Sequence, residues 1–264
     1  MQKYQELIIQ LRWTIEIGRL YIFLETSLLL SYLMMPQVGH LKQAFHIFGY
    51  FMAHPKMKSG SEPADYAINK NRFQQCDWME FYRNAQKSIP GNMPVSRDNF
   101  MSTHCFVDAN HDGCTEMRQS QTGILLFCNS VPIIWFIKKQ KSVEASMFVS
   151  EFTEMNNALD KIEALRCKLC MFGFTIDGST NIFCDNREVC VNTTLPVYTL
   201  SKKNHIIDYH YAQEAIAAET VRLSKNHTSI NLSDLFAKTM AAPNRELLLE
   251  KLRYLEANWS MWSF

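Results

Sequence analysis

Two rhythms of apolar residues run along the chain, and the places where one gives way to the other set the expected architecture. Leu7, Leu11, Ile15 and Ile17 to Leu20 recur at helical spacing. A second helical pattern follows the Pro36–Gly39 break through Leu41, Ala44, Phe45, Phe48 and Phe51. Between them Leu20–Met35 is strongly apolar, but Arg19 and Glu25 interrupt it and Pro36 stops it short of a membrane span, so it reads as a buried helix. Residues 54–102 are turn-rich at Met57-Lys-Ser-Gly-Ser-Glu-Pro63 and Ile89-Pro-Gly-Asn-Met-Pro94. They read as a connector with partial structure, packed around Asp77-Trp-Met-Glu-Phe-Tyr82.

From Thr103 the spacing becomes that of strands. One strand reaches Asp108, and two more, Gln121–Phe127 and Pro132–Lys138, flank an Asn129-Ser130 turn. A long helix follows over 144–172, stopped by Gly173. Then come a strand over Thr180–Asp185, helical patterns over Arg187–Thr193 and Ile206–Ala218, a strand over Thr220–Lys225 and a short helix near Leu232. The order predicts an α/β fold, a mixed five-stranded sheet flanked by helices and preceded by a small helical segment. The expected boundaries are 1–53 for the helical segment, 54–102 for the connector, 103–240 for the α/β domain and 241–264 for a C-terminal tail. In that tail Leu247, Leu248, Leu252 and Leu255 form an amphipathic helix that packs on the domain or on a partner.

Composition narrows the class. With 47% hydrophobic and 12% aromatic residues the chain buries real cores, and a net charge of +1 rules out a polycation. Between Met101 and Met240 there are 13 Lys/Arg against 15 Asp/Glu, so contact with nucleic acid falls to local patches such as Lys138, Lys139 and Lys141. The eight cysteines sit in a chain too long for a disulfide miniature and without a secretory segment, which points to a reducing intracellular compartment, cytoplasmic or nuclear. Cys167-Lys-Leu-Cys170 has metal-ligand spacing but no second pair, so buried thiols are the expectation. The Asn-x-Ser/Thr matches at Asn192, Asn226, Asn231 and Asn258 read as chance.

Four separated acids carry the chemistry. Asp108 and Asp185 each end an apolar run, Glu151 lies in the long helical pattern and Asp234 opens the short one. Two strand ends and two helices gather oxygen ligands at one sheet edge, the set that hard divalent cations prefer. Taken singly, a strand-end aspartate is more often a turn or capping residue, and Asp234 stands where a simple helix cap would.

The motifs around these acids resemble the copia-type LTR retrotransposon polyprotein, in its ribonuclease H region and the tail of its reverse transcriptase. They run Val107-Asp108-Ala109, Arg118-Gln-Ser-Gln-Thr-Gly123, Ile134-Trp-Phe-Ile-Lys-Lys-Gln140, Val149-Ser-Glu151-Phe152, Cys184-Asp-Asn186, Tyr209-His210 and Ser233-Asp234-Leu-Phe-Ala-Lys238. They occur in the family's order across about 103–240, and the upstream segment through His40 and Tyr50 looks like its post-palm helices. The resemblance implies a ribonuclease H-like sheet and hydrolysis of the RNA strand of an RNA–DNA hybrid with two Mg²⁺ ions, Mn²⁺ being the alternative. It implies that Asp108 bridges both ions, that Asp234 completes the nucleophile-side ion and that Glu151 with Asp185 holds the other. His227 would assist proton transfer or product release, although a solvated loop histidine is the plainer reading. Trp135 reads as core.

The chain departs from the family pattern in two places. Val149 stands where the family's first helix glutamate would be, which leaves Glu151 as the match. Lys203-Asn-His-Ile-Ile differs from the usual approach to the Tyr-His helix. No Tyr-x-Asp-Asp motif occurs, so the chain is not expected to copy nucleic acid by itself. Its expected partners are an RNA–DNA hybrid and the remainder of a polyprotein, with no membrane. Two rivals stand beside this reading. An integrase-like strand transferase would place its third acid on a later helix, and an inactive or co-opted remnant would only bind nucleic acid or protein.

Overall fold

The computed structural model describes residues 1–54, 58–59, 73, 76–87, 91–97, 100–110, 120–139, 147–196 and 206–254. The chain divides into two compact units, Met1–Asp65 with Thr239–Phe264, and Tyr66–Lys238. Expected features at Met57, Gly60–Pro63, Arg118, Lys141, Lys203–His205, Leu255 and Asn258 lie outside the described residues.

The first unit is helical. In α1 (Gln2–Glu16) Tyr4, Ile8, Leu11 and Ile15 fall on one buried stripe, and Tyr4 Oη donates to the Leu29 carbonyl at 2.7 Å. Gly18, at φ 103, ends the helix in a conformation that suits glycine. The long apolar stretch is therefore not one helix. It folds as a 3-10 turn, Leu20–Ile22, and the short α2 (Phe23–Leu30). The helix α3 (Val38–Ala53) starts after Pro36 with a reciprocal cap between Gln37 and His40. Among the described residues no helix is long and apolar enough to cross a membrane.

A two-residue strand, β1 (Lys58–Ser59), follows in this unit, and β2 (Phe100–Met101) is the first strand among the described residues of the second. The central sheet is then built from β3 (Thr103–Asn110), β4 (Gln121–Cys128) and β5 (Val131–Lys139), an antiparallel meander. The helix α4 (Met147–Met171) crosses over, and Gly173, at φ 81, terminates it. After β6 (Thr175–Ile176), which pairs parallel with β2, strand β7 (Thr180–Cys184) enters parallel to β3. Helices α5 (Arg187–Thr194) and α6 (Ile206–Ala217) lead to β8 (Val221–Lys225), parallel to β7. The order is β5-β4-β3-β7-β8, a mixed five-stranded sheet flanked by helices, as the expected fold class requires. The four-residue α7 (Asp234–Ala237) closes the unit. In the first unit, α8 (Ala242–Leu252) ends at β9 (Arg253–Tyr254), which pairs antiparallel with β1, and Arg245 of α8 pairs with Glu25 of α2.

Strand alternation sorts the second unit's side chains. Cys105, Val107, Ile124 and Leu126 turn to one face and join Phe152, Met155, Leu159 and Ile162 of α4 in the core. On the other face Phe106 stacks on Phe183 with ring centroids 5.1 Å apart. Asp108, sharing its parity with Phe106, belongs to that second face, and β3 continues two residues beyond it. Asp108 is thus inside the strand rather than at its end.

Candidate active site

The backbone around Asp108 is held from α7 and the loop before it. Asn231 is fully buried and its Nδ2 donates to the Val107 carbonyl at 3.0 Å, while Ser233 Oγ donates to Asn231 Oδ1 at 2.8 Å. Gly123 lies opposite Asp108 in the antiparallel register. A Cβ there would stand 2.8 Å from the Ser233 carbonyl oxygen and 3.1 Å from the Ala237 nitrogen. Glycine is what lets α7 lie on the sheet, and Gln121 Nε2 donates to the Phe236 carbonyl at 3.2 Å beside it. Asp234 is carried in by that helix. Asp185 follows β7 directly, and Asn186 fixes the turn after it by accepting from the Glu188 and Val189 amides.

Ligand atoms of Asp108, Asp185 and Asp234 all lie within 4.8 Å of one another, and so do those of Glu151, Cys184 and Asp185. The member common to both groups is Asp185, whereas the resemblance implies Asp108 as the shared ligand. Lys238 reaches into the first group. Its Nζ is 2.7 Å from Asp108 Oδ1, 3.2 Å from Asp234 Oδ1 and 3.5 Å from Asp185 Oδ2. Thr228 Oγ1 donates to Asp185 Oδ2 at 3.3 Å, and Asp108 Oδ2 is buried without a hydrogen-bond partner.

Burial dominates the electrostatics. It holds Asp108 well above the ordinary carboxylate range, the charge of Asp234 adds to this, and Lys238 opposes it. Asp234 is raised by burial as well, again against the pull of Lys238. Glu151 is pushed up to about 7 by burial and then by the charge of Asp185. Burial alone would lower Lys238, but Asp108 and Asp234 more than reverse that and hold it above lysine's usual value. Cys184 Sγ lies 3.8 Å from Glu151 Oε2, and its thiol is kept protonated by a hydrogen bond with Cys190 and by burial.

No protein-family model matches the chain. Curated relatives that do match include the retrovirus-related Pol polyproteins from transposons RE2 and RE1 of Arabidopsis thaliana, each 25% identical over 147 residues and 56% of this chain. The chain is similar to a segment of a retrotransposon polyprotein. It spans about a tenth of the length of either relative. Solved structures with similarity include LC11 ribonuclease H1 in complex with an RNA/DNA hybrid, at 10% identity and a TM-score of 0.40, covering 52% of this chain and 93% of that one. Ribonuclease H1 from Halobacterium salinarum is 12% identical with a TM-score of 0.38, over 53% and 95% of the two chains.

Several residues of this polyprotein-like segment fall differently from the sequence reading. Glu154, which the motifs do not single out, is fully buried three residues after Glu151, with the backbone of Gly123 and Asp108 against its carboxyl group. Burial and then the charge of Asp108 raise it well above the usual range. The spacing was the available signal, because residues three apart share a helix face. Lys238 stands in the final motif, but nothing in the sequence points to its contacts with three aspartates. His227 is exposed in the loop after β8, its Nδ1 2.9 Å from Ser229 Oγ, and it is in neither ligand group. Lys138 is exposed and Lys139 half-buried, while Trp135, expected in the core, is half-buried on edge strand β5. Cys167 is exposed and Cys170 half-buried, which corrects the expectation of buried thiols there. Asn192, Asn226 and Asn231 are buried, as chance sequence matches allow. A cavity of about 430 Å³ lies beside Glu163, Arg166 and Cys170, lined by none of the four acids.

Proposed function

We propose that the protein is a metal-dependent endonuclease of ribonuclease H type that cuts the RNA strand of RNA–DNA hybrids, as a segment of a retrotransposon polyprotein. The reading is carried by the three aspartates gathered within 4.8 Å at one side of the sheet. The motif order and the Pol polyprotein relatives support it. Burying that much negative charge together is unfavourable unless a cation offsets it. The donor set fits Mg²⁺ or Mn²⁺, being oxygen-rich, with Asp108 Oδ2 buried and unpartnered. The soft member of the second group, Cys184, is held as a thiol by its hydrogen bond with Cys190 and by burial, which disfavours it as a ligand.

Asp108, Asp185 and Asp234 would hold one ion and Glu151 with Asp185 the other, and Asp185 is the side chain able to reach both. Bound there, the ions would lower the pKa of the attacking water and neutralise charge developing on the phosphate. The chain's own residues do the rest. Gly123 and Asn231 keep α7 and β3 together, so that Asp108 and Asp234 stay in register. His227 Nδ1 is engaged by Ser229, leaving Nε2 for proton exchange with the leaving group. Lys138 and Lys139 would meet the hybrid's phosphates, and the helical unit would be the post-palm part of the same polyprotein. The described cysteines are free thiols, in keeping with a cytoplasmic or nuclear setting.

The experiment is cleavage of an end-labelled RNA–DNA hybrid by the full chain in Mg²⁺, with Asp108→Asn alongside. Cleavage that disappears in the variant supports the reading. A wild-type chain that binds divalent ions yet leaves hybrids intact at low salt would replace it with the inactive remnant.

A further inference from the structure

The three aspartates that make the first ligand group are the three that Lys238 contacts, at 2.7, 3.2 and 3.5 Å. One ammonium with three donors meets three carboxylates, a geometry a planar guanidinium would not reproduce. The lysine is anchored for the purpose. It sits four residues after Asp234, and its backbone N–H donates to the Asp234 carbonyl at 2.9 Å. Its side chain is 30% exposed, against 0% for Asp108 and 6% for Asp234, so it approaches from the solvent side of a cluster whose acids are fixed.

We propose that Lys238 is a tethered counter-ion of the acid cluster, holding the aspartates together in the metal-free protein and displaced when a divalent cation binds. This rests on the metal-dependent reading above and adds to it a competitor supplied by the chain itself. A divalent ion would coordinate carboxylate oxygens at about 2.0 to 2.6 Å. It therefore needs the oxygens that the ammonium now contacts, and two cations sharing them at about 4 Å repel strongly where water is scarce. The two occupants exclude one another. Because the lysine is covalently attached, its local concentration does not fall on dilution, and a divalent ion must outcompete it every time.

The test is calorimetric titration of Mn²⁺ into the full chain, comparing wild type, Lys238→Met and Asp108→Asn. Lys238→Met is expected to bind Mn²⁺ roughly tenfold tighter or more, since a positive charge has left the site. In chelator it should melt at a lower temperature than wild type, with the gap closing at saturating Mn²⁺. A second arm uses wild type alone. With ¹⁵N-labelled lysine, the hydrogen-bonded ammonium signal of Lys238 should vanish as Mg²⁺ saturates the protein, and this arm decides the matter if Lys238→Met does not fold. Unchanged or weaker Mn²⁺ affinity in folded Lys238→Met, or an ammonium signal that persists in saturating Mg²⁺, would overturn the inference alone, provided Mn²⁺ binding still depends on Asp108. Binding indifferent to Asp108→Asn would overturn the metal-dependent reading along with it.

Discussion

The carbonyl oxygen of Ser233 lies where a Cβ on Gly123 would come within 2.8 Å of it, so one hydrogen atom in place of a methyl group sets how closely α7 approaches β4. That approach delivers Asp234 to Asp108, the register partner of Gly123. Gly123→Ala must push against backbone on both sides, at Ser233 and Ala237, with no flexible side-chain end to give way. The expected loss is about 1 to 3 kcal/mol of stability, with weaker Mn²⁺ binding. Chemical denaturation and calorimetry on the variant check both, and a wild-type profile would show that α7 is not pinned there.

Asn231→Ala attacks the same junction from the other direction. The Val107 carbonyl is buried next to Asp108 and would lose its donor, while Ser233 Oγ would lose its acceptor. Leaving such groups unpaired costs about 1 to 3 kcal/mol. A drop of that size in unfolding free energy is expected, whereas Asn231→Asp, which keeps the acceptor for Ser233, should lose the Val107 bond and bring a further negative charge near the aspartates.

Much of this region was legible because strand and helix rhythms are local. The residues 103–110, 121–128 and 180–184 alternate or run apolar as buried strands do, and the acids stand at fixed places in an ordered string of motifs. What the sequence hid depends on distant packing. Glu154 looks like an ordinary polar helix residue until α4 lies across the sheet and buries it. Lys238 looks like a solvated charge until three aspartates from separate elements meet it. Hydropathy does not register the turn after Gly18 that keeps Leu20–Met35 from forming one helix, and alternation does not say that β5, which carries Trp135, is an edge. That Asp185 is the member common to both acid groups emerges only from three-dimensional distances.

The pH dependence of the metal-free protein follows from Glu151. Its carboxyl is raised from an ordinary value of 4.5 to about 7, mainly by burial. The folded state therefore keeps a proton that the unfolded chain has released. Stability from this group is full below about 4.5 and is lost as pH rises through 7, an effect of about 3 kcal/mol. In chelator the melting temperature should fall between about pH 4.5 and pH 7 and level off above that, and Glu151→Gln should flatten that slope. Saturating Mg²⁺ should reverse the trend, because ligands must ionise to bind. A wild-type melting temperature that rises with pH in chelator would contradict the buried, protonated glutamate.

The last prediction is catalytic. Asp108 is the most buried of the three aspartates and has an oxygen with no other partner, so its replacement leaves no substitute ligand in place. Asp108→Asn should reduce hybrid cleavage by roughly a thousandfold or more, about 4 kcal/mol of barrier. His227 is exposed and outside both ligand groups, so His227→Ala should slow turnover by no more than about a hundredfold, leaving Mn²⁺ affinity unchanged. Duplex DNA should be spared, since the 2′-hydroxyl and the hybrid's shape mark the RNA strand. With 13 Lys/Arg against 15 Asp/Glu between Met101 and Met240, little general attraction holds the substrate. Cleavage measured between about 50 and 200 mM salt should therefore be low throughout and fall only shallowly, because few phosphates are neutralised. A steep salt dependence would mean that a basic surface beyond Lys138 and Lys139 grips the hybrid, and Lys138→Ala together with Lys139→Ala would then leave most of the binding intact.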